Sequence, residues 1–340
     1  MRPFTTRTAP IPPYLAWVTN DYYMFSNRFG SATTIFSTNF VPGFFLTNNL
    51  SSFKWTNNPT GTNQLFFAGY SFLTNVLFTD AREGWHGGSG PAKPVQAVQI
   101  DLQKFNRWLT NAAVNGGSNL NAICESITHK GHPIDSIYIY NSVPLTPTTL
   151  PAVRIVNGGS TPSEDYSFGF TLATAQPLYI WGDYNVSNSF GSSISQNNAT
   201  YTEPSALMAD AITILSDNWS DSPVNQFSGG PLAKSTTINA ACLAGIVESN
   251  TNNPASSADS YGYSGGVENF LRTLENWSAS SLYYNGSIVA MFPSQYATNC
   301  WQQTGNYYTA PSRHWAYDTN FFSPSGLPPL TPEVIGYITQ

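Results

Sequence analysis

Charge is what this chain of 340 residues has least of: Asp, Glu, Lys and Arg make up only 9% of it, against ~25% in an ordinary soluble domain. The 13 Lys plus Arg stand singly, and 19 Asp plus Glu outweigh them to a formal net charge of −6. Binding nucleic acid by neutralising phosphates needs a basic stripe, so nucleic acid is excluded as a partner. Three cysteines, Cys124, Cys242 and Cys300, are too few and too far apart for a zinc site or a disulfide scaffold. Three buried thiols are the preferred reading, with one bridge plus a free thiol as the alternative. No apolar run of ~18 residues occurs, the least that a membrane-spanning helix requires.

Two common catalytic motifs are also missing. Of His86, His129, His132 and His314, only His129 and His132 stand close, in THKGHP, where Gly131 and Pro133 favour a loop. His-Glu-x-x-His and Gly-x-x-x-x-Gly-Lys are both absent, which removes the zinc-peptidase and P-loop chemistries. The start, MRPFTTRTAPIPPYLAWV, has no continuous apolar segment of the signal-peptide type. Two readings stay open there: a protein soluble as it stands, or a piece whose export signal lies upstream.

What the chain has instead is Asn, Ser and Thr, with 19 Tyr and 21 Phe. A solvent face of hydroxyls, amides and aromatics is the habit of extracellular β-proteins, so an extracellular or cell-envelope location is expected. Residues 1 to about 75 show no helical period and read as short strands and turns. VQAVQI (95–100) reads as a strand. The 3.6-residue spacing of Leu102, Phe105, Leu109 and Ala112 then predicts an amphipathic helix over DLQKFNRWLTNAAV with Asp101 as its N-cap.

Beyond it come short apolar runs separated by Gly, Asn, Ser and Pro: SIYIY (136–140), AVRIV (152–156), FGFTLA (168–173), PLYIWG (177–182), DAITILS (210–216), TTINAACLAGIV (236–247) and SLYYNGSIVAMF (281–292). Several are apolar at nearly every position, as strands buried on both faces are. The connections vary in length and lack tight hairpin turns. The expected fold is therefore mainly β, a right-handed parallel β-helix or solenoid with an N-terminal α/β region and a few short packing helices; an irregular β-sandwich is the alternative. Glycines in RIVNG, LYIWGD, CLAGIV and YYNGS would mark its corners. The expected division is an irregular β region at 1–94, a β-helix-like body at 95–310 and a Pro- and aromatic-rich cap at 311–340.

YSGGVENFLRTLENW (263–277) reads as a short helix capped by Ser264, with Glu268, Arg272 and Glu275 forming an ion ladder along one side. Seven residues on a helix separate the two glutamates by ~10 Å, too far for a retaining glycosidase pair and at the limit for an inverting one. FTDAREG (78–84) places Asp80, Arg82 and Glu83 before the loop WHGGSGP and His86. WGDYN, with Asp183, and the later Asp210, Asp217 and Asp221 raise calcium, but without Asp-x-Asp-x-Asp spacing no metal or other cofactor is expected. In PSRHWAYDTNFFSPSGLPPLTPEV, Arg313 and Asp318 are expected to pair under an aromatic lid, with a sugar-binding aromatic platform as the functional alternative.

Taken in order, TDAREG, AVQIDLQKFNRWL, SIYIYNS, AVRIVNG, LYIWGDYN, ADAITILSDNW, TTINAACLAGIV, YSGGVENFLRTLENW, YNGSIVAMF and RHWAYDTNFFSPSGLPPLTP resemble a family of uncharacterised bacterial envelope proteins of the pilus-assembly-associated, PilX-like type. The resemblance covers about residues 78 to 334 and implies a β-helical region and an envelope location; it implies no catalytic residues. The expected function is an exported structural or adhesive protein without catalysis, pilus-associated or self-assembling, whose partners are envelope components, glycans or itself. The alternative is a polysaccharide-binding or polysaccharide-degrading β-helix protein working through Asp80, Glu83, Asp183, Glu268 and Trp181.

Overall fold

A computed structural model describes residues 72–84, 92–110, 136–141, 143–162, 169–187, 202–222, 232–249, 265–299, 301 and 308–331, together with the strands β1 (Leu15–Thr19), β2 (Phe44–Thr47), β3 (Trp55–Thr56) and β4 (Gln64–Leu65). Cys124, Cys300, His86, His129, His132, Ser264 and the loop WHGGSGP lie outside the described residues.

The chain is mainly β, and most of its strands are parallel. One sheet has six strands: β5 (Leu73–Asp80), β6 (Lys93–Asp101), β8 (Leu150–Val156), β10 (Leu178–Trp181), β12 (Ile212–Leu215) and β14 (Leu271–Thr273). The other has eight, with β2 and β1 at one end and then β7 (Ser136–Tyr140), β9 (Phe170–Ala173), β11 (Ser205–Ala209), β13 (Thr236–Ile246), β15 (Ser281–Pro293) and β16 (Ser312–Tyr317). From β6 to β15 successive strands fall alternately in the two sheets, and each from β6 to β13 pairs in parallel with the strand two places on. Among the described strands, antiparallel pairing is confined to β5 with β6, β1 with β2 and β7, and β3 with β4. The boundaries expected after 94 and 310 do not divide the sheets: β5 joins β6 across the first, and β16 extends the eight-stranded sheet past the second.

The apolar runs explain the layering. Val98, Val153, Leu178, Ile212 and Leu271 from one sheet meet Ile137, Leu172, Leu207, Ile238 and Leu282 from the other in a single core between the sheets. Alternate residues of the six-stranded sheet point the other way, into a second cluster that includes Phe78, Ala97, Ala152, Tyr179, Leu215 and Trp219. With both faces covered, β8 and β12 are buried along almost their whole length, in keeping with sequences that are apolar at nearly every position.

The eight-stranded sheet also carries a period that the sequence reading did not detect. Ile137, Leu172, Leu207 and Cys242 stand in register on β7, β9, β11 and β13, each 35 residues after the last, the same separation that joins Asn141 to Gln176. The next partner, Ile288, breaks the period.

The helix after β6, α2, spans Leu102–Thr110 and follows α1 (Ala81–Gly84) in chain order. Asp101 caps α2 as expected, its Oδ1 accepting the Lys104 N–H at 3.0 Å, and Leu102 and Phe105 are buried. The glycines divide into two kinds. Gly182, at φ +81° directly after β10, turns the chain at a corner as expected. Gly245 and Gly286 instead lie inside β13 and β15; a Cβ on Gly286 would stand 1.8 Å from the Ala240 carbonyl oxygen of the neighbouring strand. That glycine permits close strand approach, not a bend.

Buried amides stitch successive layers. Asn185 Nδ2 donates to the Glu203 and Asn239 carbonyls at 2.8 and 2.9 Å, Asn239 Nδ2 returns a bond to the Asn185 carbonyl at 2.9 Å, and Asn285 Nδ2 reaches Asn239 Oδ1 at 2.6 Å. Elsewhere Gln176 Nε2 donates to the Asn141 carbonyl at 2.6 Å, while Asn141 Nδ2 satisfies the Gln96 and Ala152 carbonyls. These side chains saturate backbone groups that would otherwise be buried unpaired.

Candidate functional site

Strand register places Thr74, Gln99, Arg154, Tyr179, Thr213 and Arg272 side by side across the six-stranded sheet. The row faces away from the main core; Thr74 at one end is exposed, whereas Arg272 at the other is covered by Glu83 of α1 and by Ala297. Gln99 links Thr74 to Arg154: its Nε2 donates to Thr74 Oγ1 at 3.3 Å, and its Oε1 accepts from Arg154 Nε at 2.8 Å. The Arg154 guanidinium lies between the rings of Phe78 and Trp181, 4.9 and 4.8 Å from their centroids. It grips Asp221 through two bonds of 2.6 and 2.9 Å. Trp181 is therefore a cation–π partner in a built contact.

The FTDAREG segment meets the other end of this row. Asp80 caps α1, its Oδ1 accepting the N–H groups of Arg82 and Glu83 at 2.8 and 3.1 Å, and its Oδ2 accepts the Tyr179 hydroxyl at 2.6 Å. Glu83 Oε1 accepts from Arg272 Nη1 at 2.7 Å, and Glu83 Oε2 accepts the Asn299 N–H at 3.2 Å. The remaining Arg272 donors reach the Ala297 and Asn269 carbonyls at 3.0 and 3.4 Å. The side chains of Arg272 and Glu83 are only 2% and 3% exposed. Burial pushes the Glu83 carboxyl upward against the pull of Arg272, and it pushes the Tyr179 hydroxyl well up, reinforced by Asp80. Two acids, a phenol and two arginines thus converge, all of them buried. Their chemistry is that of a clamp tying α1 to the far edge of the sheet.

The helix expected over 263–277 is a correction. Only Val267–Phe270 is helical (α3), and Leu271–Thr273 form β14, paired with β12. Consecutive strand residues point to opposite faces, so no Glu268–Arg272–Glu275 ladder exists. Arg272 pairs instead with Glu83, 189 residues away. Glu275 accepts the Ser216 N–H and hydroxyl at 2.6 and 2.7 Å, and burial raises its carboxyl. Glu268 meets Arg313 at 3.2 Å near the surface. That pairing corrects the Arg313–Asp318 bridge as well, since Asp318 accepts from Asn320 N at 2.9 Å and Thr202 Oγ1 at 3.4 Å.

Asp183, Asp210 and Asp217 are engaged with donors. Asp183, raised by burial, accepts the Thr237 N–H at 2.7 Å. Asp210 accepts three consecutive N–H groups, from Gln295, Tyr296 and Ala297, and Asp217 pairs with Lys234 at 2.8 Å. Cys242 is a free, buried thiol pushed up to about 12. His314 stacks on Tyr283 with centroids 4.8 Å apart.

Exposed bulk gathers where the last strands end. β16 pairs only with the first half of β15, and the second half of β15 carries Val289, Met291 and Phe292 outward, Met291 being 54% exposed. Tyr317, at 50%, closes β16, and its ring lies 5.1 Å from that of Phe322, which is 77% exposed. Two 3-10 turns, Thr319–Phe322 and Pro324–Gly326, follow and return toward β11. Between them and Thr202 lies an open hollow of about 460 Å³. Phe322 belongs to the segment whose aromatics suggested a platform, whereas the opposing Thr202 gave no local signal. No family model, curated protein or solved structure matches the chain.

Proposed function

We propose that this chain is an exported structural or adhesive protein of the cell envelope or surface, built on a right-handed parallel β-helix and acting through contact, without catalysis. The observation that carries the reading is the distribution of charge and apolar bulk. Asp80, Glu83 and Arg272 are buried beside α1 and Glu268 is paired with Arg313, whereas Met291, Phe292, Tyr317 and Phe322 stand outward at the β15–β16 end. Large apolar side chains grouped beside the edge strand of a sheet suit a surface that meets another body. Right-handedness follows from the ~98% preference of parallel strand–crossover–strand connections for that hand. The partner surface is a second copy of the chain or a neighbouring envelope component, and the PilX-like resemblance supports a pilus-associated setting.

Fractionation and protease shaving of the source cells test location, and sedimentation velocity over a range of concentrations tests assembly. Surface-accessible protein with reversible association that weakens in Met291→Ser is the expected result. A chain confined to the cytoplasmic fraction, monomeric at high concentration and retained by neither cells nor itself, would overturn the reading.

A further inference from the structure

We propose that the hollow beside Phe322 is a binding site for a neutral saccharide; this rests on the adhesive reading and gives it a ligand. Its rim is made of hydroxyl and amide side chains, Thr202, Thr319, Asn320, Ser323 and Ser325, with the Phe322 ring standing largely in solvent on one wall. A pyranose presents an apolar C–H face and a girdle of hydroxyls. The first stacks on an aromatic ring, and the second exchanges hydrogen bonds with groups that both donate and accept. The Ser323 and Ser325 hydroxyls lie 2.9 Å apart, so one proton satisfies their mutual bond and the other, with the spare lone pairs, remains for a ligand. No Lys, Arg, Asp or Glu lines the hollow, which selects against phosphate, sulfate and uronic-acid ligands. At about 460 Å³ it falls within the ~300–1,000 Å³ of small-ligand sites.

The walls are held from behind. Asp318, buried beneath them, accepts the Asn320 N–H through one carboxylate oxygen and the Thr202 hydroxyl through the other. It joins the start of the β11 segment to the first 3-10 turn and keeps the two sides of the hollow at a fixed spacing. Asp318 is a positioning residue, and burial raises its carboxyl. A proline-rich peptide also stacks on aromatic rings, and the Tyr317 ring lies 5.1 Å from Phe322; the wall of the hollow itself, however, sets five hydroxyl and amide residues around the Phe322 ring, which favours the sugar.

The test titrates the intact chain with cellobiose, lactose, maltotriose and diacetylchitobiose, with digalacturonate and a proline-rich peptide as competing classes. Ligand-observed and protein-observed NMR report binding. At least one neutral sugar is expected to bind weakly and to shift Phe322 ring signals. Phe322→Ala should weaken it by about tenfold or more through loss of the stacked face, and Ser325→Trp should abolish it by filling the hollow. Leu77→Ser, an exposed change on β5, should leave it unchanged, and melting curves confirm that each variant folds. Asp318→Asn should raise Kd and make it less dependent on pH, which loss of fold alone would not do. Silence from every neutral sugar, binding only of digalacturonate or the peptide, or affinity unaltered in both Phe322→Ala and Ser325→Trp would each overturn the proposal. Loss of surface location or assembly with sugar binding intact would instead count against the adhesive reading.

Discussion

Replacing Glu83 by Leu should destabilise the protein by about 3–5 kcal/mol, the cost of leaving one partner of a buried ion pair uncompensated. The structure makes this a severe case. Arg272 Nη1 is 2.7 Å from Glu83 Oε1, with both side chains almost wholly buried, and the Ala297 and Asn269 carbonyls contact only its other two nitrogens. A cation held there without its carboxylate has no water to turn to. Arg272→Met should also be destabilising, since it removes the Glu83 carboxylate's direct ion-pair partner and leaves it the Asn299 N–H and the nearby charge of Arg82. The double variant should cost less than the sum, because it removes both charges; it still leaves the Ala297 carbonyl and the Asn299 N–H short of a partner, at ~1–3 kcal/mol each. Coupling between the two sites is expected at ~1–3 kcal/mol. Urea titrations followed by tryptophan fluorescence measure all four proteins. Single variants that lose less than ~1 kcal/mol, or a double variant that is additive, would show that the pair does not hold α1 to the sheet.

Gly286→Ala should weaken the fold by about 3 kcal/mol or more, because its Cβ would meet a backbone oxygen that moves only if β13 and β15 separate; an unchanged melting temperature would contradict the strand contact. Burial raises Asp183, Glu275 and Asp318, so each binds its proton more tightly in the folded chain than in the unfolded one. Their contribution to stability is full below the ordinary carboxylate range and is lost as pH rises through the raised values. Glu275→Gln should therefore flatten the rise in melting temperature that acidification from neutrality toward its ordinary value of 4.5 brings. A slope that steepens in the variant would reverse the assigned direction.

Strand positions were legible wherever burial on both faces left a run apolar at most positions, as in AVRIV and DAITILS, and so was the cap at Asp101, since these signals are local. The 263–277 segment misled for the same reason. Its apolar spacing and charges suit a helix in isolation, but pairing of Leu271–Thr273 with β12 adds ladder hydrogen bonds and buries Leu271, which outweighs a small helical preference. The asparagines at 185, 239 and 285 showed nothing in sequence, because their spacing is unequal and only stacked layers bring them together. The 35-residue recurrence was hidden in a similar way, because the in-register positions Ile137, Leu172, Leu207 and Cys242 share only apolar character with one another and with many other positions.

By itself the sequence determined that this is a β-rich chain, poor in charge and lacking the zinc-peptidase and P-loop motifs. Composition and short-range periodicity carry that information residue by residue. Only the tertiary structure decided which charges neutralise one another, that Glu83 and Arg272 pair while Glu268 turns to Arg313, and that Thr202 faces Phe322 across a hollow. Those pairings depend on the register between strands far apart in the chain, and register is set by how a whole sheet buries its face.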